Sequence, residues 1–506
     1  MSNPSKKALV IGAGFAGMSV ATFLAKKGWS VSVIEKHNLP GGRARKFEAQ
    51  GFTFDMGPSW YWMPDVFERY FAAFGKKVSD FYKLKRLDPS YRVYFDETHW
   101  DMPANYTELA ALLESVEPGA AKALDQFMEE AKFKYDIGVG KLVHQPGISL
   151  KEFIDIDLIK GVFKLDVFQS MKKHVARFFK HPYIQTLMEF PVLFLGALPQ
   201  NTPALYSLMN YADIKGGTWY PEFGMYSIVQ AMYDTAVAQG VTFHFEEEAL
   251  QIEILNGVAK SCLTKSSVTG EQKHYEFEVI IGAGDYHHIE TKLISPKYQS
   301  YTNSYWDTRT MAPSSLLYYV GLNKKLTGVT HHSLFFDTDF GLHGKEIYTE
   351  PSWPTKPLFY ASVPSVTDST VAPAGSENLF LLIPVAAGLE GDTEEVRDKY
   401  FNELIVRLEQ RWGQSISDSI VYKRSFAVSD FKSEYHSFKG NAYGLANTLL
   451  QTAILKPSCK SKKVKNLYYT GQLTVPGPGV PPSLISGEVV AELIEKNYIN
   501  LQPRNV

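Results

Sequence analysis

The sequence predicts an α/β fold in which a discontinuous nucleotide-binding domain carries an inserted α+β domain built from a mixed sheet and helices. Three observations support this prediction. A strand, a glycine-rich turn, a helix and a second strand follow one another in residues 7–36. Apolar strands that end in glycine recur near the middle and near the end of the chain. A second set of strands, with most of the helices, lies between them.

The segment KALVIGAGFAGMSVATFLAKKGWSVSVIEK contains the first nucleotide-binding pattern, of the Rossmann-like type. Gly12 makes the tight turn, Gly14 leaves room for phosphates at a helix N-terminus, and Gly17 lets the helix approach the strand. Glu35 ends the second strand, where a carboxylate accepts ribose hydroxyls and favours an unphosphorylated adenosine ribose over NADP. The alternative is a tightly packed turn without a ligand. The predicted elements are a strand at Leu9–Ile11, a helix at Met18–Lys27 and a strand at Val31–Ile34.

The later elements follow from periodicity and turn residues. Helical spacing covers Thr107–Lys132 and Phe153–Arg177, and short strands cover Val241–Lys265 with a turn at Asn256 and Gly257. An apolar strand is predicted in Phe277–Gly282, and a second sheet is predicted from Ser315–Leu322, Leu358–Val363 and Leu379–Val385. Thr393 is predicted to cap a helix. A strand, a turn and a closing helix are predicted in Asn466–Lys496.

This distribution predicts two domains, each assembled from separate segments. Residues 1–75, 235–290 and 460–506 are expected to form the nucleotide-binding domain. Residues 76–234 and 291–459 are expected to form the substrate domain.

Composition restricts the function further. The net charge is −2, so no basic field predicts a nucleic-acid partner. Cys262 and Cys459 have no metal-ligand spacing and suit a reducing cytoplasm.

No signal peptide is expected, and the longest apolar run, Phe190–Pro199, is shorter than the roughly 18 residues of a membrane span. The aromatic content of 14% indicates a well-filled core, or in addition a long apolar tunnel.

A second motif, GGRARKFEAQGFTFDMGPSWYWMPD, follows the strand that ends at Glu35. Gly42 and Arg43 can bring backbone and a guanidinium to a pyrophosphate, although a surface salt bridge of Arg43 is the alternative. Gly57, Pro58 and Ser59 form a turn that suits the rim of a cofactor ring.

Six stretches carry a resemblance to a known family: KALVIGAGFAGMSVA, IEKHNLPGGRARKF, FTFDMGPSWYWMPDVFERYF, GGTWYPEFGMYSIVQAM, YHSFKGNAYGLANTLLQTA and YTGQLTVPGPGVPPSLISG. Together they resemble the bacterial-type phytoene and carotenoid desaturases, a branch of the flavin amine oxidase superfamily. The resemblance covers nearly the whole chain, and Gly471–Gly487 is its most specific part.

The resemblance implies that FAD is held without a covalent bond. Many relatives carry an acidic residue at the position of Gln472, but the amide of Gln472 can still form hydrogen bonds with a ribityl hydroxyl. Many relatives also carry glycine at the position of Phe223. The implied cofactor residues are Gly12, Gly14, Phe15, Ala16, Gly17, Glu35, Lys36, Gly42, Arg43 and Ala44 for adenosine and pyrophosphate, Ala249 and Gly282 near adenine, and Gly57, Pro58, Ser59, Gly471, Gln472, Gly479, Val480 and Pro481 for the ribityl chain and ring.

The implied activity is desaturation of a linear C40 carotene, by hydride transfer to flavin and loss of a proton, with oxygen or a quinone as the electron acceptor. Tyr206 and Tyr211 are candidates for a tunnel wall or a proton relay, and the alternative for each is a core aromatic residue. His287 and His288 are expected to be surface or core residues, so no metal is predicted. Three alternatives stay open: a later desaturase acting on a hydroxylated or cyclised carotenoid, an amine oxidase or isomerase on the same fold, and a lipid-binding escort protein without flavin.

The implied carotene is insoluble in water. We therefore expect a cytoplasmic enzyme that associates peripherally with the inner membrane. The candidate contact is FQSMKKHVARFFKHP, residues 168–182. Its expected apolar face comprises Phe168, Met171, Val175 and Phe178, and its positive charges are Lys172, Lys173, Arg177 and Lys180. The alternative is a domain helix whose apolar face packs on the core.

Overall fold

A computed structural model describes residues 6–149, Glu152, Asp166 and 169–501 of the chain. The strands are β1 Lys7–Ile11, β2 Ser30–Ile34, β3 Lys46–Ala49, β4 Phe52–Asp55, β5 Leu84–Arg86, β6 Tyr91–Tyr94, β7 His99–Met102, β8 Trp219–Pro221, β9 Thr242–His244, β10 Glu247–Leu255, β11 Val258–Ser266, β12 Gln272–Glu276, β13 Val279–Gly282, β14 Ser314–Leu322, β15 His332–Phe335, β16 Phe359–Ser362, β17 Glu377–Val385, β18 Ile420–Phe426 and β19 Leu467–Tyr469.

The α-helices include several very short ones, and 3₁₀ turns connect many of the elements. The helices are α1 Phe15–Lys26, α2 Pro64–Ala72, α3 Tyr106–Val116, α4 Ala120–Gly138, α5 Met171–Phe178, α6 Pro182–Glu189, α7 Leu208–Ile214, α8 Tyr226–Ala238, α9 Tyr286–His288, α10 Asn303–Asp307, α11 Phe340–Tyr348, α12 Glu394–Trp412, α13 Val428–Tyr435 and α14 Val480–Leu501.

A five-stranded parallel sheet has the order β19-β13-β1-β2-β9. Ile11 pairs with Gly282 on one side and with Ile34 on the other, so β1, β2 and β13 end at the same edge. This edge brings together the glycine turn, Glu35 and the residues after Gly282. The strands come from the three segments that the sequence assigns to the nucleotide-binding domain, whose exact boundaries stay a prediction.

The inserted part is built around a seven-stranded mixed sheet of order β18-β14-β17-β16-β15-β6-β7. Its pairings are antiparallel except for the parallel pair of β15 and β6. Strands β10, β11 and β12 form a separate antiparallel meander. The α/β class and the mixed sheet of the sequence prediction are confirmed.

Most predicted elements are present, with two differences. The helical segment Thr107–Lys132 consists of two helices, α3 and α4, because the chain turns at Gly119, whose φ is 90°. Most of the predicted helical segment Phe153–Arg177 lies outside the described residues, and its described end is α5. Thr393 caps α12 as predicted, since its side chain accepts the Val396 N–H.

Helix α5 corrects the expected membrane contact. Met171 and Val175 are fully buried in the core of the inserted domain, and Phe178 packs against the same core, whereas Phe168 lies outside the described residues. Lys172 and Lys173 are exposed. The apolar face is therefore unavailable to a bilayer, because the protein itself covers it. In the described part of the chain, no helix combines the length and apolarity needed to cross a membrane.

Candidate cofactor and substrate site

A cavity of about 440 Å³ runs from the carboxyl edge of the parallel sheet to the seven-stranded sheet. The cofactor side of its wall comes from the turn after β1, the residues after β2, β13 and β19, and the start of α14. The inserted sheet contributes Leu317 from β14, Tyr360 from β16 and Leu382 from β17. The cavity thus joins a nucleotide-binding edge to an apolar wall.

Glu35 is fixed at the cavity wall by the backbone. Its Oε2 accepts the Ala13 N–H at 2.8 Å, and its Oε1 accepts the His37 N–H at 3.0 Å. Burial raises the pKa of Glu35, while these two hydrogen bonds act in the opposite direction. Each carboxylate oxygen has further acceptor capacity, so the side chain suits ribose hydroxyls.

The three glycines of the first turn have different surroundings. Gly12 has a φ of +105°, which favours glycine. A Cβ on Gly14 would meet no atom within 4 Å, and Gly14 lines the cavity beside the N-terminus of α1. A Cβ on Gly17 would lie 2.0 Å from the Gly12 carbonyl oxygen. Gly14 therefore leaves space for phosphate oxygens, whereas Gly17 allows α1 to pack behind the turn.

Arg43 places a buried guanidinium on the cavity wall. Its Nη2 donates to Ser437 Oγ at 2.9 Å, but its Nε is buried without a hydrogen-bond partner among the described residues. Burial lowers the pKa of Arg43, and the nearby Asp285 carboxylate opposes this effect. A buried guanidinium N–H that lacks a protein acceptor fits an anionic ligand such as a pyrophosphate. Among the described residues the Arg43 guanidinium bonds to the Ser437 hydroxyl rather than to a carboxylate, which favours the ligand over the alternative of a surface salt bridge.

The C-terminal motif supplies the opposite end of the cofactor wall. Gly471 follows β19 with a φ of +111°, and Gln472 donates from Nε2 to Asn441 Oδ1 at 3.1 Å. Gly479, Val480 and Pro481 line the cavity where α14 begins. An amide at position 472 can still accept and donate hydrogen bonds, so these residues fit the ribityl part of a flavin nucleotide.

The other proposed cofactor residues divide into two groups. Gly282 and Gly17 do not line the cavity: a Cβ on Gly282 would lie 2.7 Å from Ile289 Cδ1, so its role is packing, and the next residues, Ala283 and Gly284, reach the wall. The residues that do line it are Phe15, Ala16, Lys36, Gly42, Ala44, Gly57, Pro58, Ser59 and Ala249.

Tyr206 and Tyr211 are not among the cavity-lining residues. Tyr206 packs against the core of the inserted domain, where burial raises its pKa to about 12. The Tyr211 ring lies 5.3 Å from the Tyr135 ring. Tyr206 thus packs as the core alternative expects, and a catalytic role for either tyrosine stays a prediction.

The sequence analysis missed several wall residues. Asp285 and His288 follow β13, and their position at the end of a parallel strand was a usable signal. Burial lowers the pKa of His288 to about 3, so its ring, stacked on His436 at 4.0 Å, is neutral. Trp60 and Tyr360 also line the wall, and no local motif pointed to Tyr360.

One cluster in the described residues groups possible metal ligands, namely Glu130, Asp166 and His174. The Lys134 ammonium lies 3.0 Å from Asp166 and 3.2 Å from His174 Nε2. The positive charge at this cluster of possible metal ligands is thus the ammonium group of Lys134.

The chain matches the family of flavin-containing amine oxidoreductases over residues 15–494. It belongs to this family. The protein is therefore a flavin-dependent oxidoreductase. The flavin is FAD, which agrees with the features of the cavity that suit a ribose and a pyrophosphate.

Named relatives of this oxidoreductase are similar along almost their whole length. Carotenoid 3,4-desaturase of Haloarcula japonica is 40% identical over 487 residues, covering 96% of this chain and 97% of the relative. The zeta-carotene-forming phytoene desaturase of Myxococcus xanthus is 29% identical, covering 99% and 97%. The 4,4'-diapophytoene desaturase of Staphylococcus aureus is 30% identical, covering 97% and 99%.

Solved structures share the fold. An oxidoreductase from Methanosarcina mazei superimposes with a TM-score of 0.63 at 15% identity, covering 96% of this chain and 100% of that one. A variant of putrescine oxidase gives a TM-score of 0.61 at 13% identity, covering 97% and 100%. At these identities the similarity concerns the fold alone.

Proposed function

We propose that the chain is a carotenoid desaturase that uses FAD to introduce a double bond at the C3–C4 bond of a linear carotenoid. The observation that carries the proposal is the continuity of the cofactor cavity with an apolar wall. Next to this wall lies a smaller apolar pocket of about 60 Å³, which shares Tyr360, Leu382 and Tyr443 with the main cavity. Such a surface suits a hydrocarbon chain that extends past the cofactor.

The chemistry requires little from protein functional groups. When bound, FAD supplies a two-electron acceptor for the hydrogen that leaves the substrate as hydride. The chain itself orients the polyene and excludes water through side chains such as Leu317, Leu382 and Phe426. Within the proposal, oxygen or a quinone reoxidises the flavin.

The relatives support the position of the double bond in this proposal. The similarity to the 3,4-desaturase, at 40% identity, exceeds that to the listed phytoene and diapophytoene desaturases, at 29% and 30%. All three relatives are covered nearly completely, so the difference is not an effect of length. A C3–C4 bond lies near the end of a carotenoid, and the small side pocket suits a short end segment.

We expect cells that express the enzyme and supply carotenoids to form a product with two fewer hydrogens and a longer conjugated system. Separate strains that accumulate phytoene or a more unsaturated linear carotenoid would be compared by chromatography, mass spectrometry and absorption spectra. Conversion of the more unsaturated carotenoid alone, at C3–C4, supports the proposal. Conversion of phytoene alone assigns the earlier step, and oxidation of amines without any carotenoid conversion contradicts desaturation.

We also propose that the enzyme associates peripherally with the cytoplasmic membrane surface. A hydrocarbon substrate partitions into the bilayer, so its transfer into the cavity requires contact with lipid. The apolar face of α5 is buried, so the part of the predicted contact that can meet anionic headgroups is its exposed basic residues, Lys172, Lys173, Arg177 and Lys180.

Replacing Lys172 and Lys173 with glutamate is expected to weaken salt-sensitive binding to anionic vesicles about tenfold or more, because each basic residue near the surface contributes about 1 kcal/mol. Vesicle flotation at low and moderate salt measures this. Lys76→Glu with Lys77→Glu changes the net charge equally at another exposed site and serves as the control. Equal flotation of both double variants would place the membrane contact elsewhere.

A further inference from the structure

Desaturation releases a proton inside an apolar cavity, and the inserted sheet presents few polar groups there. Tyr360 of β16 is one of them and lines both the main cavity and the side pocket. Its hydroxyl forms a 2.6 Å hydrogen bond with His332 Nδ1. Burial raises the pKa of Tyr360, and the nearby hydroxyls of Ser362 and Ser59 oppose this effect. Tyr360 therefore places a neutral phenol among the side chains that line the cavity.

His332 is held rigidly behind the wall. It is fully buried on β15, and the ring of Trp60 stacks on it at 4.2 Å with an interplanar angle of 10°. Burial lowers its pKa well below the usual value, with a smaller contribution from His331, so the imidazole is neutral. Its Nε2 has no hydrogen-bond partner among the described residues. The neutral ring can accept the Tyr360 hydroxyl proton at Nδ1.

A small cavity of about 30 Å³ has both polar and apolar side chains on its wall, among them His331, which precedes His332 in the sequence. Ser59 lies on the wall of both this cavity and the main one, and His331 and Ser362 also line the small cavity. His331 Nε2 is buried without a hydrogen-bond partner in the described part of the protein, and the Ser362 hydroxyl belongs to the same wall. The size and the two polar atoms suit an ordered water molecule.

The wall of the small cavity also carries a carboxyl group that can receive a proton. Asp55 accepts the backbone N–H groups of Met225 at 2.7 Å and Tyr226 at 2.9 Å. Burial raises its pKa to about 6, against the effect of these hydrogen bonds. The small cavity thus shares Ser59 with the main cavity and has a titratable carboxyl group on its wall.

We propose that Tyr360 accepts the proton that the carotenoid loses, with His332 as a positioning residue and the small cavity beside Ser59 and His331 as the proton exit. One C–H bond breaks and its electron pair leaves as hydride to the flavin, which makes the substrate an allylic cation. On the adjacent carbon the C–H bond breaks, its electrons form the new C=C bond, and the proton goes to the Tyr360 oxygen. The original phenol proton passes to His332 Nδ1, so the carotenoid loses one hydride and one proton in total.

A weak base is sufficient for this step because a C–H bond next to an allylic cation is very acidic. A buried imidazole of low basicity also gives the proton up readily, which lets the pair return to its resting state. The inference rests on the proposed function, since it assigns a role within that same reaction. Wild-type product formation tests the proposed function by itself, before any variant is compared.

Tyr360→Phe removes the oxygen and keeps the ring. We expect single-turnover product formation to fall by about 100-fold or more, while flavin content and substrate affinity stay within about threefold. With substrates deuterated at one or the other of the two carbons, the isotope effect at the carbon that loses the proton should grow, because proton loss becomes rate-limiting. A merely structural role would lower the rate without changing this pattern.

Two further variants complete the test. His332→Phe preserves stacking on Trp60 and removes the acceptor, so a smaller loss, of about tenfold, with the same change in isotope effect is expected. Tyr318→Phe is the matched control: its buried hydroxyl donates to the Arg397 carbonyl at 2.5 Å, and the residue does not line the cavity. If Tyr360→Phe forms product within about threefold of the wild-type rate, or shows unchanged isotope effects, the proposal is wrong.

Discussion

Replacing Gly14 with valine is expected to give a folded protein that contains no flavin. The backbone at Gly14 has φ −75° and ψ 179°, an extended conformation open to any residue, and a Cβ there meets nothing within 4 Å. The fold therefore tolerates the side chain. The same open space faces the cavity at the start of α1, where the pyrophosphate needs close approach to the backbone. A valine would occupy that space.

The measurement is the ratio of visible flavin absorbance to protein, together with thermal unfolding. The reference for unfolding is wild-type protein stripped of flavin, because ligand loss alone lowers the apparent stability. Gly14→Ala is a graded control, since one methyl group intrudes less and should reduce flavin affinity less. Full flavin occupancy in Gly14→Val would show that the turn does not carry the phosphates.

The nucleotide-binding unit could be predicted because its signals are local. An apolar strand, a glycine turn and a helix succeed one another within residues 7–36, and the structure has β1, α1 and β2 there. Arg43 and Gln472, from distant segments, were assigned to one site through the resemblance to a known family, and both line the cavity. Parallel strands end at the same edge, so motifs that follow such strands meet there even when far apart in sequence.

The apolar side of the cavity could not be predicted in the same way. Every residue of β15 and β16 is buried, so these strands show no alternation that would mark Tyr360 as facing a cavity. Which face of the inserted sheet covers the cofactor edge depends on tertiary packing. Tyr206 was proposed from its proximity to a motif in sequence, but proximity along the chain does not determine which way a helix turns its side chains.

Helix α5 illustrates a different limit. An apolar stripe with basic residues beside it is expected both for a helix on a membrane surface and for a helix packed on a core. Met171 and Val175 are fully buried by other parts of the protein, which decides between the two. Hydrophobic periodicity indicates that one face of a helix is buried, but it does not indicate whether protein or lipid covers that face.

Gly487→Ala is expected to destabilise the fold strongly, because Gly487 lies where α14 crosses α1. A Cβ at this position would lie 2.6 Å from the Val20 nitrogen and 2.7 Å from the Ala16 carbonyl oxygen. Both are backbone atoms of α1, so no side-chain rotation relieves the contact. Ser19 Oγ also donates to the Leu484 carbonyl at 2.7 Å, and this bond depends on the close approach.

Relief of the contact requires the two helices to separate, which moves the N-terminus of α1 relative to the glycine turn. We expect a loss of about 3 kcal/mol in the free energy of unfolding, the upper part of the usual range for overpacking, and a reduced flavin content as a consequence. Denaturant unfolding and visible absorbance measure both effects. Glu492→Ala on the exposed side of α14, where the carboxylate pairs with Lys27, is the control and should change stability by about 0.5 kcal/mol or less. If Gly487→Ala unfolds at the wild-type denaturant midpoint, α1 and α14 do not pack as closely as the structure shows, and the cofactor turn does not depend on the C-terminal helix.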